Sequence, residues 1–441
     1  MLAKPVYVVD GARTPYLKAR NRPGPFSAGD LATQAGRALL LRQPFAPDAL
    51  DEVILGCASP SPDEVNIGRV AALRMGCGER VPGWTVMRNC ASGMQSIDAG
   101  ISNILAGRSQ LVLAGGTDAL SRAPVLFSDA MVLWLAGWAE AKTLGARAAQ
   151  LAKLKLAHLA PVIGILKGLT DPMVGLLMGQ TAENLAHRFG ITRAQMDAFS
   201  VRSHQRAAQA QDQGALAPAA TPAAGDGAPA AELEALYDAE GNAYALDDGV
   251  RRDSSMENLA RLKPFFDRKV GNVTPGNSSQ ITDGAAWVLL ASEEAVGRHG
   301  LVPIGRILDA QWAGLDPAQM GLGPVHAATP ILQRNGLGLD DLDLWEINEA
   351  FAAQVLACLA AWRDAAYCRE QLGLAGALGA LDESKLNIDG GAIALGHPVG
   401  SSGTRIVLHL LKALKREGKR RGMAAICIGG GLGGAMLVEA L

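Results

Sequence analysis

The strongest constraint on this chain is that one strand-and-helix pattern occurs in it twice. Apolar runs at residues 6–10, 52–56, 85–88 and 111–114 read as strands, and the segments between them carry helical periodicity. The same succession returns at 304–308, 342–347, 386–389 and 424–428. Each half also ends alike, since Gly433-Gly434-Ala435-Met436-Leu437-Val438 echoes Asp283-Gly284-Ala285-Ala286-Trp287-Val288, a glycine turn running into a closing strand. Strands alternating with helices imply βαβ units and a mostly parallel sheet, so an α/β fold of two similar halves is expected. In the second half the closing strand follows its neighbour almost at once. In the first a long segment intervenes and reads as an insertion. The expected units are therefore 1–122 with 280–298, an inserted 123–279, and 299–441.

With 441 residues, 49% of them hydrophobic, the chain can bury the cores of two or three such units. A formal net charge of -2 provides no cationic field to gather nucleic acid, which is not expected as a partner. Six cysteines lie far apart without a Cys-x-x-Cys pair, so neither a disulfide framework nor a metal site is expected, and a reducing compartment fits. The first residues enter an apolar strand with no basic segment and long apolar stretch ahead of it, which makes the cytoplasm the expected location. The insertion is mainly helical in pattern, with an Ala/Pro/Gly-rich stretch at 214–231 that reads as a mobile surface loop. Near its start two apolar patches, 130–139 and 156–166, flank Lys142, Arg147, Lys153 and Lys155. Each is shorter than the roughly 20 apolar residues a bilayer span requires. Two readings remain: a helical pair packed on its own domain, or a surface for a membrane or a partner subunit.

Four loops carry candidate chemistry. Cys90, in Asn89-Cys90-Ala91-Ser92-Gly93, stands between a strand and a helix whose apolar residues Ile97, Ile101 and Leu105 recur every fourth position. A strand-to-helix turn projects a nucleophile from the sheet edge, and unpaired amides at the helix N-terminus favour the thiolate, so a lowered thiol pKa is expected. A small buried cysteine is the plain alternative. His397 precedes Pro398, which suits the first position of the helix carrying Ile406, Leu410 and Leu414. A helix N-terminus disfavours imidazolium, so His397 is expected to be neutral and able to accept a proton; a helix-capping histidine is the alternative. The segment 391–396 has phosphate-loop spacing, but His-Pro stands where Lys-Ser/Thr is required. Cys427 closes a strand and opens Gly429-Gly430-Gly431-Leu432-Gly433-Gly434. Those glycines match G-x-G-x-x-G, yet no helix and no acidic residue follow them to hold a dinucleotide; they do let backbone amides approach a ligand, as an oxyanion site needs. Asn348, in Asn348-Glu349-Ala350-Phe351-Ala352, also ends a strand, where ligands bind in open α/β sheets, or else is an ordinary N-cap.

These segments together resemble one family, the thiolases. The likeness covers the whole chain, through Gly11-Ala12-Arg13-Thr14-Pro15, Asn89-Cys90-Ala91-Ser92-Gly93, Met178-Gly179-Gln180-Thr181-Ala182-Glu183-Asn184, Asn277-Ser278-Ser279 with Thr282-Asp283-Gly284-Ala285-Ala286, Asn348-Glu349-Ala350-Phe351, Gly396-His397-Pro398 and Cys427-Ile428-Gly429-Gly430-Gly431. The resemblance implies a thiolase-like α/β fold, with duplicated βαβαβαββ halves in a five-layer αβαβα core and an inserted loop domain along which CoA runs. It implies a CoA-dependent acyltransferase in which Cys90 is acylated, His397 takes its proton, and Cys427 moves the α-proton of acetyl-CoA. One oxyanion would be held by His397 and a water on Asn348, the other by the amides of Cys90 and Gly429. Met178 and Ser279 match pantetheine contacts, and Met320 and Phe351 the acyl pocket; core packing is the alternative for the Met and Phe positions.

CoA and acyl-CoA are then substrates, no tightly bound cofactor is implied, and the expected assembly is a homodimer or tetramer. Leu177 stands where short-chain biosynthetic relatives usually carry His. The stretches 125–167 and 351–385 look more like the membrane-associated β-oxidation thiolases, which work with a hydratase/dehydrogenase subunit. Those relatives commonly have His in place of Asn348, so chain length stays open between medium or long 3-oxoacyl-CoA and acetoacetyl-CoA. A decarboxylating 3-oxoacyl synthase shares the doubled fold but uses His or Asn where Cys427 stands. A non-catalytic lipid carrier or scaffold on the same fold would have no need of Cys90, His397 and Cys427.

Overall fold

Side-chain alternation along the strands decides the layering, as seen in a computed structural model that describes residues 2–218 and 231–441. Successive residues of a strand face opposite sides. Along Leu111–Ala119, Val112 and Ala114 enter a central cluster while Leu111 and Leu113 enter an outer one. In Arg421–Ile428, Ala424, Ile426 and Ile428 point to the same central cluster, and Met423, Ala425 and Cys427 to an outer cluster on the opposite side. The central cluster is filled by two helices, Ser92–Leu105 through Met94, Ile97 and Ile101, and Val399–Arg416 through Ile406, Leu410 and Leu414. Helices Ala28–Leu41 and Ile67–Arg74 cover one outer face, and Gly323–Asn335 and Ala352–Arg363 the other. The order helix, sheet, helix, sheet, helix is the expected five-layer sandwich. Each Leu or Ile removed from water in the middle layer contributes about 2 kcal/mol.

Among the described residues, four short strands form two separate two-stranded sheets, and the other ten form one continuous sheet whose two halves make the two sheet layers. Its first half runs Gly83–Val86, Glu52–Gly56, Leu111–Ala119, Thr282–Ser292, Val6–Arg13, and its second half Leu344–Ile347, Arg421–Ile428, Leu432–Ala440, Gly305–Gly314. The halves meet where Val6, Tyr7 and Val8 pair antiparallel with Ile307, Arg306 and Gly305. Between strands of the described residues, parallel pairing joins Glu52–Gly56 to its two neighbours and Leu344–Ile347 to Arg421–Ile428. The expected mostly parallel sheet is therefore mixed. The reason is local: the turn after Ile428 returns the chain directly into Leu432–Ala440, and a direct return can only pair antiparallel.

The strand expected at 386–389 is reduced to a single parallel bridge, Trp345 to Leu386. Asn387 takes a left-handed backbone conformation (φ 47°), and Gly390 another (φ 77°), which ends any extended run. The Asn387 carboxamide substitutes for the missing ladder: Oδ1 accepts from Ile347 N at 2.9 Å and Nδ2 donates to Ile347 O at 2.9 Å.

Helices Met178–Arg188 and Arg193–Asp212 of the inserted segment pack on the second half through Ala182, Leu185, Met196 and Phe199. Helices Asp129–Glu140 and Leu144–Leu151 differ: only Met131 is buried in the first and nothing in the second. They do not form a pair buried on their own domain. Among the described residues no helix is long and apolar enough to cross a membrane. Most of the stretch expected as a mobile loop, 219–230, lies outside the described residues.

Candidate active site

Two helix N-termini converge at the middle of the sandwich. Gly93 opens Ser92–Leu105, and a Cβ there would lie 2.4 Å from Thr404 Oγ1 and 2.7 Å from the Gly400 carbonyl at the start of Val399–Arg416. Only glycine allows this approach. The loops entering these two helices carry Cys90 and His397.

Cys90 occupies a single 3₁₀ turn, Asn89–Ala91, between the strand Gly83–Val86 and the helix. Asn89 holds the turn in a left-handed conformation (φ 44°), and Ser92 Oγ braces it, accepting from Arg88 N at 2.9 Å and donating to Asn89 O at 2.7 Å. The Asn89 side chain donates across the molecule to the Gly429 carbonyl at 2.9 Å, locking the turn to the loop after Cys427. Cys90 is half-buried, whereas the other five cysteines are buried. Burial pushes its thiol up, against hydrogen bonds from the amides of Gly429 and Cys90 itself. The lowering expected from the helix N-terminus does not prevail, because desolvation of the thiolate outweighs the amides.

His397 lies between the short helix Ala392–Leu395 and Val399–Arg416, with Pro398 one residue outside the helix as its N-cap. Its backbone N donates to Gln280 O at 3.0 Å. Nδ1 is 2.6 Å from Ser402 Oγ, whose hydroxyl donates to Pro398 O at 3.2 Å. That pattern assigns the proton to Nδ1 and leaves a lone pair on Nε2, which is buried with no partner among the described residues. Burial, followed by the charge of Arg405, brings the imidazole down to about 4, so it is neutral at pH 7 and able to accept a proton.

Asn348 extends the ladder beyond Leu344–Ile347 through its N–H to Ala425 O at 2.9 Å. Its carboxamide is fully buried, and neither Oδ1 nor Nδ2 has a partner among the described residues. A buried amide with both ends open is costly in a finished core and is suited to hold a small polar ligand. An N-cap would have spent its oxygen on the helix that follows. The adjoining Glu349 fixes this loop, accepting from Ser203 Oγ at 2.6 Å, Asn387 Nδ2 at 2.8 Å and Ile393 N at 3.2 Å.

Cys427 is buried, and its thiol is pushed well up, first by burial and then by the neighbouring Cys90 and Cys358. After it, Gly430 (φ 94°) and Gly431 (φ 75°) make the turn into a strand, which removes the dinucleotide reading. Met178 sits against this turn, its sulfur 3.2 Å from where a Gly429 Cβ would stand. Ser279 donates its N–H to Ala350 O at 2.9 Å, and the next residue, Gln280, accepts from His397 N, so this segment runs between the Asn348 and His397 loops. Phe351 and Met320 are buried in the cluster that also holds Cys427.

Three supporting residues escaped the sequence reading: Ser402, Arg405 and Asp118. The Asp118 carboxylate accepts from Gly400 N at 2.5 Å, Ser59 N at 2.9 Å and Cys57 Sγ at 3.3 Å, anchoring the start of the His397 helix to the first half. Its sequence signal was an acid at the end of an apolar strand, 111–119.

The ancestry of the chain follows from its relatives. The family model of the thiolase N-terminal domain matches residues 6–294, and that of the thiolase C-terminal domain matches 301–440. This chain belongs to the thiolase family. It is 39% identical over 99% of its length to the whole of a β-ketoadipyl-CoA thiolase from Pseudomonas aeruginosa. A 3-ketoacyl-CoA thiolase of Yersinia enterocolitica is 38% identical across 98% of this chain and 96% of its own. The crystal structure of human mitochondrial 3-ketoacyl-CoA thiolase in complex with CoA superposes with a TM-score of 0.81 at 34% identity, covering 99% of this chain and 98% of that one. The thiolase assignment carries with it the acyltransferase class, and CoA thioesters are the substrates of thiolases. The synthase and carrier readings are not favoured.

Proposed function

We propose that the chain cleaves 3-oxoacyl-CoA with CoA, reversibly, through an acyl group on Cys90. The observation that carries this reading is the convergence of the Cys90 and His397 helix N-termini, with the Gly429 amide on the Cys90 sulfur. The Cys90 proton passes to His397 Nε2 as the sulfur attacks the 3-oxo carbon. The amides of Cys90 and Gly429 hold the oxyanion that forms on that carbon, while the new Nε2–H and a water held by Asn348 donate to the thioester oxygen on which the acetyl-CoA enolate develops. The C2–C3 bond breaks, and the acetyl-CoA enolate takes the proton of Cys427. In the second half, CoA attacks the Cys90 thioester, giving its thiol proton to Cys427; the departing Cys90 sulfur recovers its proton from His397. The amides of Cys90 and Gly429 hold the thioester oxyanion. Run backwards, the same steps condense two acetyl-CoA molecules. Splitting the transfer through a covalent intermediate replaces one difficult step with two easier ones.

The CoA arm lies along the inserted unit 123–279, against Met178 and Ser279, with the acyl chain toward Phe351 and Met320. The catalytic halves are 1–122 with 280–298, and 299–441. We take the acyl chain to be medium or long, on the strength of Leu177 and the extended 125–167 stretch. That stretch exposes Val125, Leu126, Phe127, Leu133, Leu144 and Leu156 beside Lys142, Arg147, Lys153 and Lys155. It is read as the face toward a membrane surface or a hydratase/dehydrogenase subunit, on a cytoplasmic homodimer or tetramer.

Incubating the enzyme with CoA and a graded series of 3-oxoacyl-CoA esters, 3-oxoadipyl-CoA among them, tests the substrate reading. Cleavage rates should rise beyond the four-carbon ester; a maximum at acetoacetyl-CoA would defeat it. Asn348→Ala should lower kcat roughly 10²- to 10³-fold with little change in KM, the loss expected when one oxyanion donor goes. Steady-state thiolysis measures this, and an unchanged kcat would remove Asn348 from the oxyanion site.

A further inference from the structure

Arg405 is a buried cation that the reaction above does not use. It lies on the helix that follows His397, with its side chain 1% exposed, and donates through Nη1 to Glu346 Oε2 at 2.9 Å. Its Nε has no partner among the described residues. Glu346 stands on the strand Leu344–Ile347, which delivers Asn348. The pair thus ties the element bearing the imidazole to the element bearing the open carboxamide.

Stability does not account for this pair, since a buried ion pair gains little over apolar side chains of the same volume. The surroundings show where its charge acts. Tyr16 from the first half, Glu346 and Glu349 from the Asn348 strand and loop, and His397 on the helix's entry loop all feel the guanidinium. His409, one turn further along, and Asp389 act in turn on Glu346. Burial brings the Glu346 carboxyl up to about 7 in spite of Arg405, with Glu349 and Asp389 adding to the rise. A carboxyl raised in this way neutralises Arg405 less completely than an ordinary glutamate would.

We propose that Arg405 is a positioning residue for the acyl transfer: its ion pair with Glu346 joins the His397 helix to the Asn348 strand, and its positive charge adds to burial in keeping the imidazole in its proton-accepting form. This rests on His397 being the base.

Single-turnover acylation of Cys90, followed from pH 4 to 8, tests it with Arg405→Gln, Arg405→Lys and Glu346→Gln. Loss of the positive charge favours imidazolium, so Arg405→Gln should move the acid limb to higher pH by about one unit, with kcat lowered more than KM is changed. Arg405→Lys, which keeps the charge, should hold the limb in place. Glu346→Gln removes the opposing carboxylate and should leave the limb unmoved or lower. A limb unmoved in Arg405→Gln, or moved upward in Glu346→Gln, would overturn the proposal. If Arg405→Gln fails to fold, the other two variants decide: a limb that shifts upward in either one overturns it. His397→Asn separates the two readings, because acylation surviving in that variant defeats the base assignment whatever Arg405 does.

Discussion

Cys90→Ala is expected to give no acyl adduct when the protein is mixed with 3-oxoacyl-CoA and weighed by mass spectrometry, and to lose at least ~10⁴-fold in kcat. The size of the effect follows from the site's design. The His397 lone pair, the Gly429 amide and the Asn348 carboxamide all serve a bond made at one sulfur, so removing that sulfur leaves them with nothing to act on. Cys427→Ala should separate the two half-reactions. It should still acquire the adduct from an acyl-CoA donor, since Cys90 and His397 remain, yet neither condense acetyl-CoA nor exchange its α-protons with solvent. An adduct of equal yield on the Cys90→Ala protein would defeat the assignment of the nucleophile. α-Proton exchange persisting in Cys427→Ala would move the second role to another group.

Arg13→Met is expected to destabilise the fold by about 3–5 kcal/mol, read as a lower urea midpoint, because it strands two buried carboxylates. Arg13 is fully buried, donating to Asp247 through both terminal nitrogens at 2.8 and 2.9 Å and to Glu232 through Nε at 2.7 Å. Glu232 is shared with His409 at 2.8 Å, and the other side of that ring is 3.1 Å from Asp389. One chain of charge thus fastens the first half, the insertion and the second half together.

The same chain fixes a pH dependence. Burial opposes a charged His409, but Glu232 and Asp389 outweigh it and bring the ring up to about 10. A pKa raised above the unfolded value of about 6.5 means that its stabilisation is complete below that pH and is lost as pH rises toward 10. Glu232 is held well below its usual value, by His409 and then Arg13 against the cost of burial, so its contribution is complete above about 4.5 and disappears in acid. His397 and His204, each brought down to about 4 chiefly by burial, also favour the folded state less as pH falls below 6.5. The urea midpoint should therefore peak near pH 6–7 and decline toward pH 10. In His409→Gln the part of that decline between about pH 6.5 and 8.5 should be much reduced, while above it the buried thiols of Cys57, Cys358 and Cys427, also pushed up by burial, continue to lower the midpoint. An unchanged decline below about pH 8.5 would mean that His409 is not the group responsible.

How far the site could be read beforehand depended on the range of the forces involved. The Cys90 turn was legible because strand, Asn-Cys-Ala-Ser-Gly and amphipathic helix are adjacent in the chain. The strand Glu52–Gly56 was legible as an uninterrupted apolar run. The run at 386–389 looked the same and was misread, since its ladder is completed by an Asn387 side chain whose partner, Ile347, is 40 residues away. Asn348 could be placed at a strand end, but its open carboxamide appears only once every neighbouring donor and acceptor has a position. The apolar patches at 130–139 and 156–166 were visible, whereas their failure to bury against the rest of the fold was not.

Sequence alone decided which side chains end which strands, because alternation and helical period are written in residues a few positions apart. It placed a thiol, a second thiol and an amide at three such ends, and an imidazole at the start of a helix. The folded molecule decided their protonation. The Cys90 turn is clasped by a carbonyl 340 residues distant, and that closure buries the thiol, reversing the shift its own helix would have produced. Desolvation and Coulomb forces depend on distances through space, and no local pattern encodes those.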